Sequence, residues 1–223
     1  MKKNILVLAP HMDDEVIGCG GSILKHIYAG NDVSVLFFTD GSNFASEKAK
    51  ADLLKKNRMD EVIKVMKFLK ATPYFLNVPD RTLSYNTRIL QEVIKVLQKI
   101  QPDIIYVPHI KEGDREHRIV NEIFREAFWL ASDVKQLNNG ESLKVAEYIL
   151  EYEVWEPIYN PNYYEDIGAF IDKKCEAIKM YESQKKFFDY AFAIRGLNQY
   201  RGAMSHVCYA EAFIVKKDNI NLY

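Results

Sequence analysis

The sequence predicts an α/β fold in which a mostly parallel sheet lies between layers of helices. Three features predict it: apolar runs of strand length that are continuous rather than alternating, amphipathic segments of helix length between them, and polar clusters directly after the strands. Continuous apolarity marks strands covered on both faces, as in a parallel sheet sandwiched by helices.

Asn4 to Ala9 (NILVLA) and Asp32 to Thr39 (DVSVLFFT) are two such runs, and the helix-compatible stretch Gly20 to Ala29 between them completes a β-α-β unit. Ser46 to Lys70 reads as a long amphipathic helix, with Leu53, Leu54, Met59, Val62, Ile63, Met66 and Leu69 at three- and four-residue intervals. Pro73 to Leu76 is a short strand, and Val78 to Tyr85 a loop punctuated by Pro79 and Asp80. A helix over Thr87 to Ile100 stops before Pro102, and Asp103 to Pro108 (DIIYVP) is the next buried strand. His109 to Glu116 is a polar loop leading into a helix of about Arg118 to Ser132. Further on the pattern weakens to a polar turn at Gln136 to Ser142, a strand at Tyr148 to Trp155 and a loop at Ile158 to Tyr164. Helices at Ile167 to Gln184 and Phe188 to Arg201, a last strand near Cys208 to Val215 and a loose tail from Lys216 to Tyr223 follow. No repeat, linker or composition break divides the chain, so residues 1–223 are expected to form a single domain.

Lys plus Arg (30) nearly balances Asp plus Glu (31), so nothing in the global charge favours nucleic acid or an anionic membrane surface. No run approaches the roughly 20 apolar residues that span a bilayer, and MKKNILVLAP reads as a first buried strand rather than an export signal. Cys19, Cys175 and Cys208 are far apart, without CxxC spacing; three buried thiols in a reduced, cytoplasmic setting are expected.

The chemistry concentrates in Pro10-His11-Met12-Asp13-Asp14-Glu15, directly after the first strand. In open α/β sheets ligands bind at that edge. Imidazole and carboxylate are zinc ligands, and a catalytic site commonly uses three protein ligands with the fourth position left for water. Adjacent acids do not point at one ion in the same way, so one can ligate while its neighbour faces the water, as hydrolysis requires. A bare acid pair after a strand also suits a helix N-terminus. His11, and the small residues Gly18-Cys19-Gly20-Gly21 that let backbone pass close to the strand tip, favour the metal site.

PHMDDE after the first strand, then GCGGSI and a second strand ending FFTDG, resembles the LmbE-like, or PIG-L, family of zinc-dependent N-deacetylases. Gly113-Asp114-Arg115-Glu116-His117-Arg118 matches the family's second histidine, at the start of a later helix. Arg58 with Glu61, Leu76 to Leu83 (LNVPDRTL), Tyr181-Glu182-Ser183-Gln184 and Tyr209-Ala210-Glu211-Ala212-Phe213 extend the resemblance over nearly the whole chain.

The resemblance implies a Rossmann-like three-layer fold, a Zn2+ or similar divalent ion on His11, Asp14 and His117, and Asp13 as general base toward a metal-activated water. The implied reaction removes an N-acetyl group from an N-acetylglucosamine-type sugar or conjugate. Many members carry a histidine where this chain has Asp114, and an Asp where it has Glu116. His109, at a strand tip, is accordingly a candidate substrate contact or a replacement for that histidine. Arg58 reads either as an exposed helix cation paired i,i+3 with Glu61 or as a substrate contact. Asp80 with Arg81 reads as a turn or as a binder of sugar hydroxyls. Two further readings stay open: an amidase acting on a thiol-sugar conjugate, mycothiol- or bacillithiol-like, or another small amide; and a Mg2+-binding α/β module without amide chemistry, which would need neither His11 nor His117. A small N-acetylated molecule is the expected partner. Assembly into a homo-oligomer is left open, with Tyr159 to Tyr164 either an interface or a solvated loop.

Overall fold

The structure, a computed structural model, describes residues 1–42, 47–132, 143–144, 146–184 and 188–216. The expected turn at Gln136 to Ser142 and the tail beyond Lys216 lie outside the described residues. The elements run β1 (Asn4–Ala9), α1 (Asp14–Tyr28), β2 (Asp32–Thr39), α2 (Lys48–Leu69), β3 (Thr72–Val78), α3 (Thr87–Ile100), β4 (Ile104–Pro108), α4 (Arg115–Ser132), β5 (Tyr148–Tyr152), β6 (Tyr163–Asp166), α5 (Ile171–Lys179), α6 (Tyr190–Met204) and β7 (Ala210–Lys216). Seven strands form one sheet in the order β3-β2-β1-β4-β5-β7-β6. The pairs from β3 through β5 are parallel, whereas β7 runs antiparallel to both β5 and β6.

The pleat divides the continuous apolar strands between two cores. Ile5, Val7 and Ala9 of β1 pack with α1, α2 and α5, while Leu6 and Leu8 pack with α3 and α4 on the opposite face. This is the three-layer sandwich the strand composition predicts. Among the described residues no helix is long and apolar enough to cross a membrane.

The largest difference from expectation is α1, which begins at Asp14 rather than Gly20. Cys19 breaks it with non-helical dihedrals, φ −142° and ψ 23°. The second limb therefore needs partners for its own first N–H groups. Glu211 of β7 supplies them, accepting from Gly21 N (2.7 Å), Ser22 N (2.8 Å) and Ser22 Oγ (2.6 Å), with buried Lys174 at 2.6 Å balancing its charge. Gly18 is obligatory for close approach: a Cβ there would lie 2.2 Å from the Tyr152 ring.

Other boundaries moved for local reasons. The strand expected through Trp155 ends at Tyr152, because the Val154 and Trp155 N–H groups turn to the Glu112 carboxylate. The loop expected at Ile158 to Tyr164 contributes Tyr163 and Tyr164 to edge strand β6, opposite Phe213 and Ala212. The helix expected over Ile167 to Gln184 is shorter, Ile171–Lys179, whereas α6 runs on to Met204. All three cysteines are free; Cys19 and Cys175 are buried as expected, but Cys208 is exposed in the turn before β7.

Candidate active site

Strand order reverses between β1 and β4, whose outer neighbours lead in opposite directions across the sheet. A crevice opens at such a switch point beyond the strands' C-terminal ends. The loop after β1 carries His11, Asp13 and Asp14; the loop after β4 and the first turn of α4 carry Glu112, Asp114, Glu116 and His117.

At the crevice floor His11 Nδ1 lies 3.2 Å from Asp14 Oδ2 and 3.2 Å from His117 Nε2, and His117 Nε2 lies 3.1 Å from Asp14 Oδ2. Ligand atoms on one tetrahedral zinc, at ~2.0–2.1 Å from the ion, sit about 3.3 Å from each other. The donor set thus fits a divalent ion in both chemistry and spacing. Among the described residues, Asp14 Oδ1 and His117 Nδ1 are buried without hydrogen-bond partners, although Glu112 Oε2 approaches the latter at 3.4 Å. Asp114 also offers an oxygen to the two imidazoles, the three ligand atoms lying within 4.8 Å of one another. Its oxygens are already engaged, Oδ2 by Arg81 Nη1 at 2.5 Å and Oδ1 by Glu116 N at 2.8 Å.

The histidines are backed by carboxylates, which orient an imidazole and raise its basicity. Glu116 Oε2 meets His11 Nε2 at 2.7 Å while its other oxygen accepts from Leu83 N at 2.9 Å. Burial disfavours the charged imidazoles, yet Asp14 and Glu116 carry His11 up to about 10, and Asp14 with Glu112 carries His117 up to about 9. Asp14 is held well below the carboxylate range: burial opposes this, but His117 and His11 outweigh it.

Asp13 points elsewhere. Its φ of 141° is strained for a residue with a Cβ, and this turn sends the Asp13 and Asp14 carboxylates to different places. Asp13 Oδ2 accepts from Gln184 Nε2 at 2.7 Å and lies 3.7 Å from Arg58 Nη1. Burial pushes its carboxyl up to about 7 despite the Arg58 charge. Its neighbour Glu15 is pushed by burial to about 8 and accepts from Tyr181 Oη at 2.6 Å.

Above the floor opens a cleft of about 270 Å³ lined by His11, Asp13, Asp14, Arg58, Asp80 and Arg81, with Trp155, Gln184 and Tyr190. Residues 6–128 match the family model PIG-L, described as GlcNAc-PI de-N-acetylase. The chain belongs to the PIG-L family.

Relatives of this PIG-L chain fit that placement. It is 28% identical over 193 residues to a diacetylchitobiose deacetylase of Thermococcus kodakarensis, covering 82% of this chain and 70% of the relative. The N,N'-diacetylchitobiose deacetylase structure from Pyrococcus horikoshii superposes with a TM-score of 0.85 at 26% identity, over 96% of this chain and 84% of that one. The 4-carboxy-2-hydroxymuconate hydratase GalB of Pseudomonas putida KT2440 superposes with a TM-score of 0.84 at 21% identity, covering 99% and 98%. That last likeness shows the fold alone, and a fold does not by itself fix a reaction.

Within the family frame, the structure brings His11, Asp13, Asp14, Arg58 and Asp80 to one cleft, with His117 fully buried beneath it against His11 and Asp14. Arg58 does not pair with Glu61; it donates to Met12 O at 2.8 Å, while Glu61 binds Ser183 N and Oγ at 2.8 and 2.7 Å and so fixes the turn carrying Gln184. Asp80 is buried and accepts from Gly41 N at 3.0 Å; Gly41 has φ 74°, and a Cβ there would strike Arg58 at 2.7 Å. His109 is not among the described residues lining the cleft. It is buried, with Nε2 2.7 Å from Glu156 O and 3.6 Å from Glu112 Oε1. Sequence reasoning missed Glu112, Trp155 and Tyr190. Their only signals were an acid five residues before His117 and aromatics in stretches read as scaffold.

Proposed function

We propose that this chain is a zinc-dependent N-deacetylase that removes the acetyl group from a small N-acetylglucosamine-type sugar or sugar conjugate. Residues 1–223 act as a single catalytic domain in this reading, in the cytoplasmic setting that three free cysteines support. The observation that carries it is the mutual 3.1–3.2 Å spacing of His11 Nδ1, Asp14 Oδ2 and His117 Nε2, beneath a cleft that also holds Asp13. Family membership and the deacetylase relatives support the acyl group and the sugar class.

His11, Asp14 and His117 would hold the ion; Asp14 is preferred to Asp114 because the latter's carboxylate is committed to Arg81 and to Glu116 N. A bound divalent ion supplies Lewis acidity for the amide carbonyl and lowers the pKa of water. Asp13, buried and raised to about 7, is suited to take a proton from the attacking water and return it to the departing nitrogen. Water adds to the amide carbon, the C–N bond breaks, and acetate and a free amine leave. Gln184 and Arg58 hold the Asp13 carboxylate in place, and Arg58 is a cleft-lining guanidinium suited to charge developing on the carbonyl oxygen. Asp80, Arg81 and Arg58 are substrate contacts in this reading, and His109 acts behind the cleft wall.

Elemental analysis of wild type and His117→Ala, with acetate release from a panel of N-acetylated sugars, tests the proposal. About one zinc-type ion per chain, lost in the variant, is expected. Asp13→Asn should keep the ion and lose ~10²–10⁴-fold in turnover. A metal-free wild type, or Asp13→Asn at full rate, sinks it.

A further inference from the structure

The cleft lining is of two kinds. Carboxylates and guanidinium groups, with His11 and Gln184, give it a polar side; two aromatic rings, Trp155 and Tyr190, stand apart from Met12 as its large apolar surface. The rings meet edge-on, with centroids 5.7 Å apart and planes at 61°. Trp155 nevertheless stays 45% exposed, so the contact with Tyr190 does not take the indole out of water.

The backbone beneath that indole is unusually well fixed for a loop. Val154 N and Trp155 N donate to Glu112 Oε1 at 2.6 and 3.0 Å, and the next carbonyl, Glu156 O, lies 2.7 Å from His109 Nε2. Two buried side chains thus pin three successive residues. Glu112 also stands 3.4 Å from His117 Nδ1, so the place of Trp155 is set relative to the histidine on the crevice floor. A large apolar ring left in water gains little from folding, and one held rigidly in a cleft is preorganised for something else to cover it.

We propose that Trp155, backed by Tyr190, is a sugar-stacking wall: the indole covers the apolar face of a pyranose ring while Asp80, Arg58 and Arg81 meet its hydroxyls. The inference rests on the deacetylase reading and deepens it, naming a cyclic N-acetylhexosamine rather than an open-chain N-acetylated amine. A pyranose has one face rich in C–H groups and a rim of hydroxyls, and this cleft offers both complements within one volume. Small-ligand sites commonly combine aromatic surface with a few placed polar groups. The rigid indole supplies contact area at little conformational cost.

The chain has two tryptophans, so Trp129→Phe, at an exposed position of α4, leaves Trp155 as the one indole, excited selectively at the red edge where tyrosine does not absorb. Zinc-loaded protein in that background is titrated with N-acetylglucosamine and with its ring-opened alditol, which keeps the acetamide and hydroxyls but lacks the ring. The sugar should change Trp155 emission and the alditol should not. Trp155→Ala, with folding checked by circular dichroism, should raise KM for the cyclic sugar about tenfold. Its kcat should move less than about threefold, and the preference for ring over alditol should vanish. Trp155→Phe should restore most of that preference. Emission that responds to the sugar without acetate release would remove the deacetylase reading and leave the wall standing. Acetate release with Trp155→Ala at wild-type KM, equal responses to ring and alditol, or no response to either, overturns the wall.

Discussion

At the residue scale the site turns on the separation of two adjacent carboxylates. Asp14 looks down at the imidazoles and Asp13 sideways at Gln184, because the Asp13 backbone takes a φ of 141° that costs about 1–3 kcal/mol and must be held by its surroundings. Gln184→Ala removes one of those restraints; its kcat is expected to fall about tenfold with metal content unchanged, measured by steady-state kinetics beside elemental analysis. Glu112 acts on the other side, near His117 Nδ1. Glu112→Ala should weaken metal binding by ~10–100-fold in a competitive chelator titration, and unchanged affinity would remove it as a support of the ligand. His11, Asp13 and Asp14 could be singled out in the sequence because they stand in a short motif directly after a strand, and His117 because its segment resembles the family's second-histidine motif at the start of a later helix. Gln184 as the partner of Asp13 was not legible, since 171 residues separate them and no local period links the two.

At the element scale α1 is the part where tertiary packing overrides propensity. Glycine disfavours helix interiors, yet Gly18, Gly20 and Gly21 lie inside one, because Tyr152 at the tip of β5, Lys174 of α5 and Ile167 respectively crowd the space a side chain would take. Gly18→Ala would force the Tyr152 ring aside and should destabilise by ~1–3 kcal/mol or more in urea unfolding. The helix kink at Cys19 transfers a second cost to β7, where Glu211 receives the freed N–H groups and Lys174 neutralises it. Lys174→Met leaves that carboxylate buried without its cation, and a loss of about 3–5 kcal/mol is expected; a loss below about 1 kcal/mol would contradict the account. The expected helix over Gly20 to Ala29 corresponds to the limb beyond the kink, where the residues are helix-compatible, whereas the short limb from Asp14 to Gly18 was not expected.

At the scale of the whole molecule, the two loops that carry the cluster come from opposite sides of the strand-order reversal, so an ion there ties the β1 and β4 halves of the sheet together. Metal bound to the folded chain alone should stabilise it by mass action, by about 2.7 kcal/mol at a hundredfold excess over Kd. Thermal melts with zinc and with chelator should separate accordingly, and His117→Ala should abolish the difference. Equal melting temperatures in wild type would mean that the cluster does not take the ion.

The sequence by itself determined the sandwich and most of the strands, because continuous apolar runs can be satisfied only between two layers of helices. It also pointed to the short motifs proposed to carry the chemistry, since strand ends are where an open sheet presents them. Only the tertiary structure decided that one Asp14 oxygen faces both imidazoles, that His109 is buried away from the cleft lining, and that Trp155 and Tyr190 line it. Those outcomes depend on contacts between segments distant in the chain, and the spacing of residues along a strand or helix carries no information about what packs across from it.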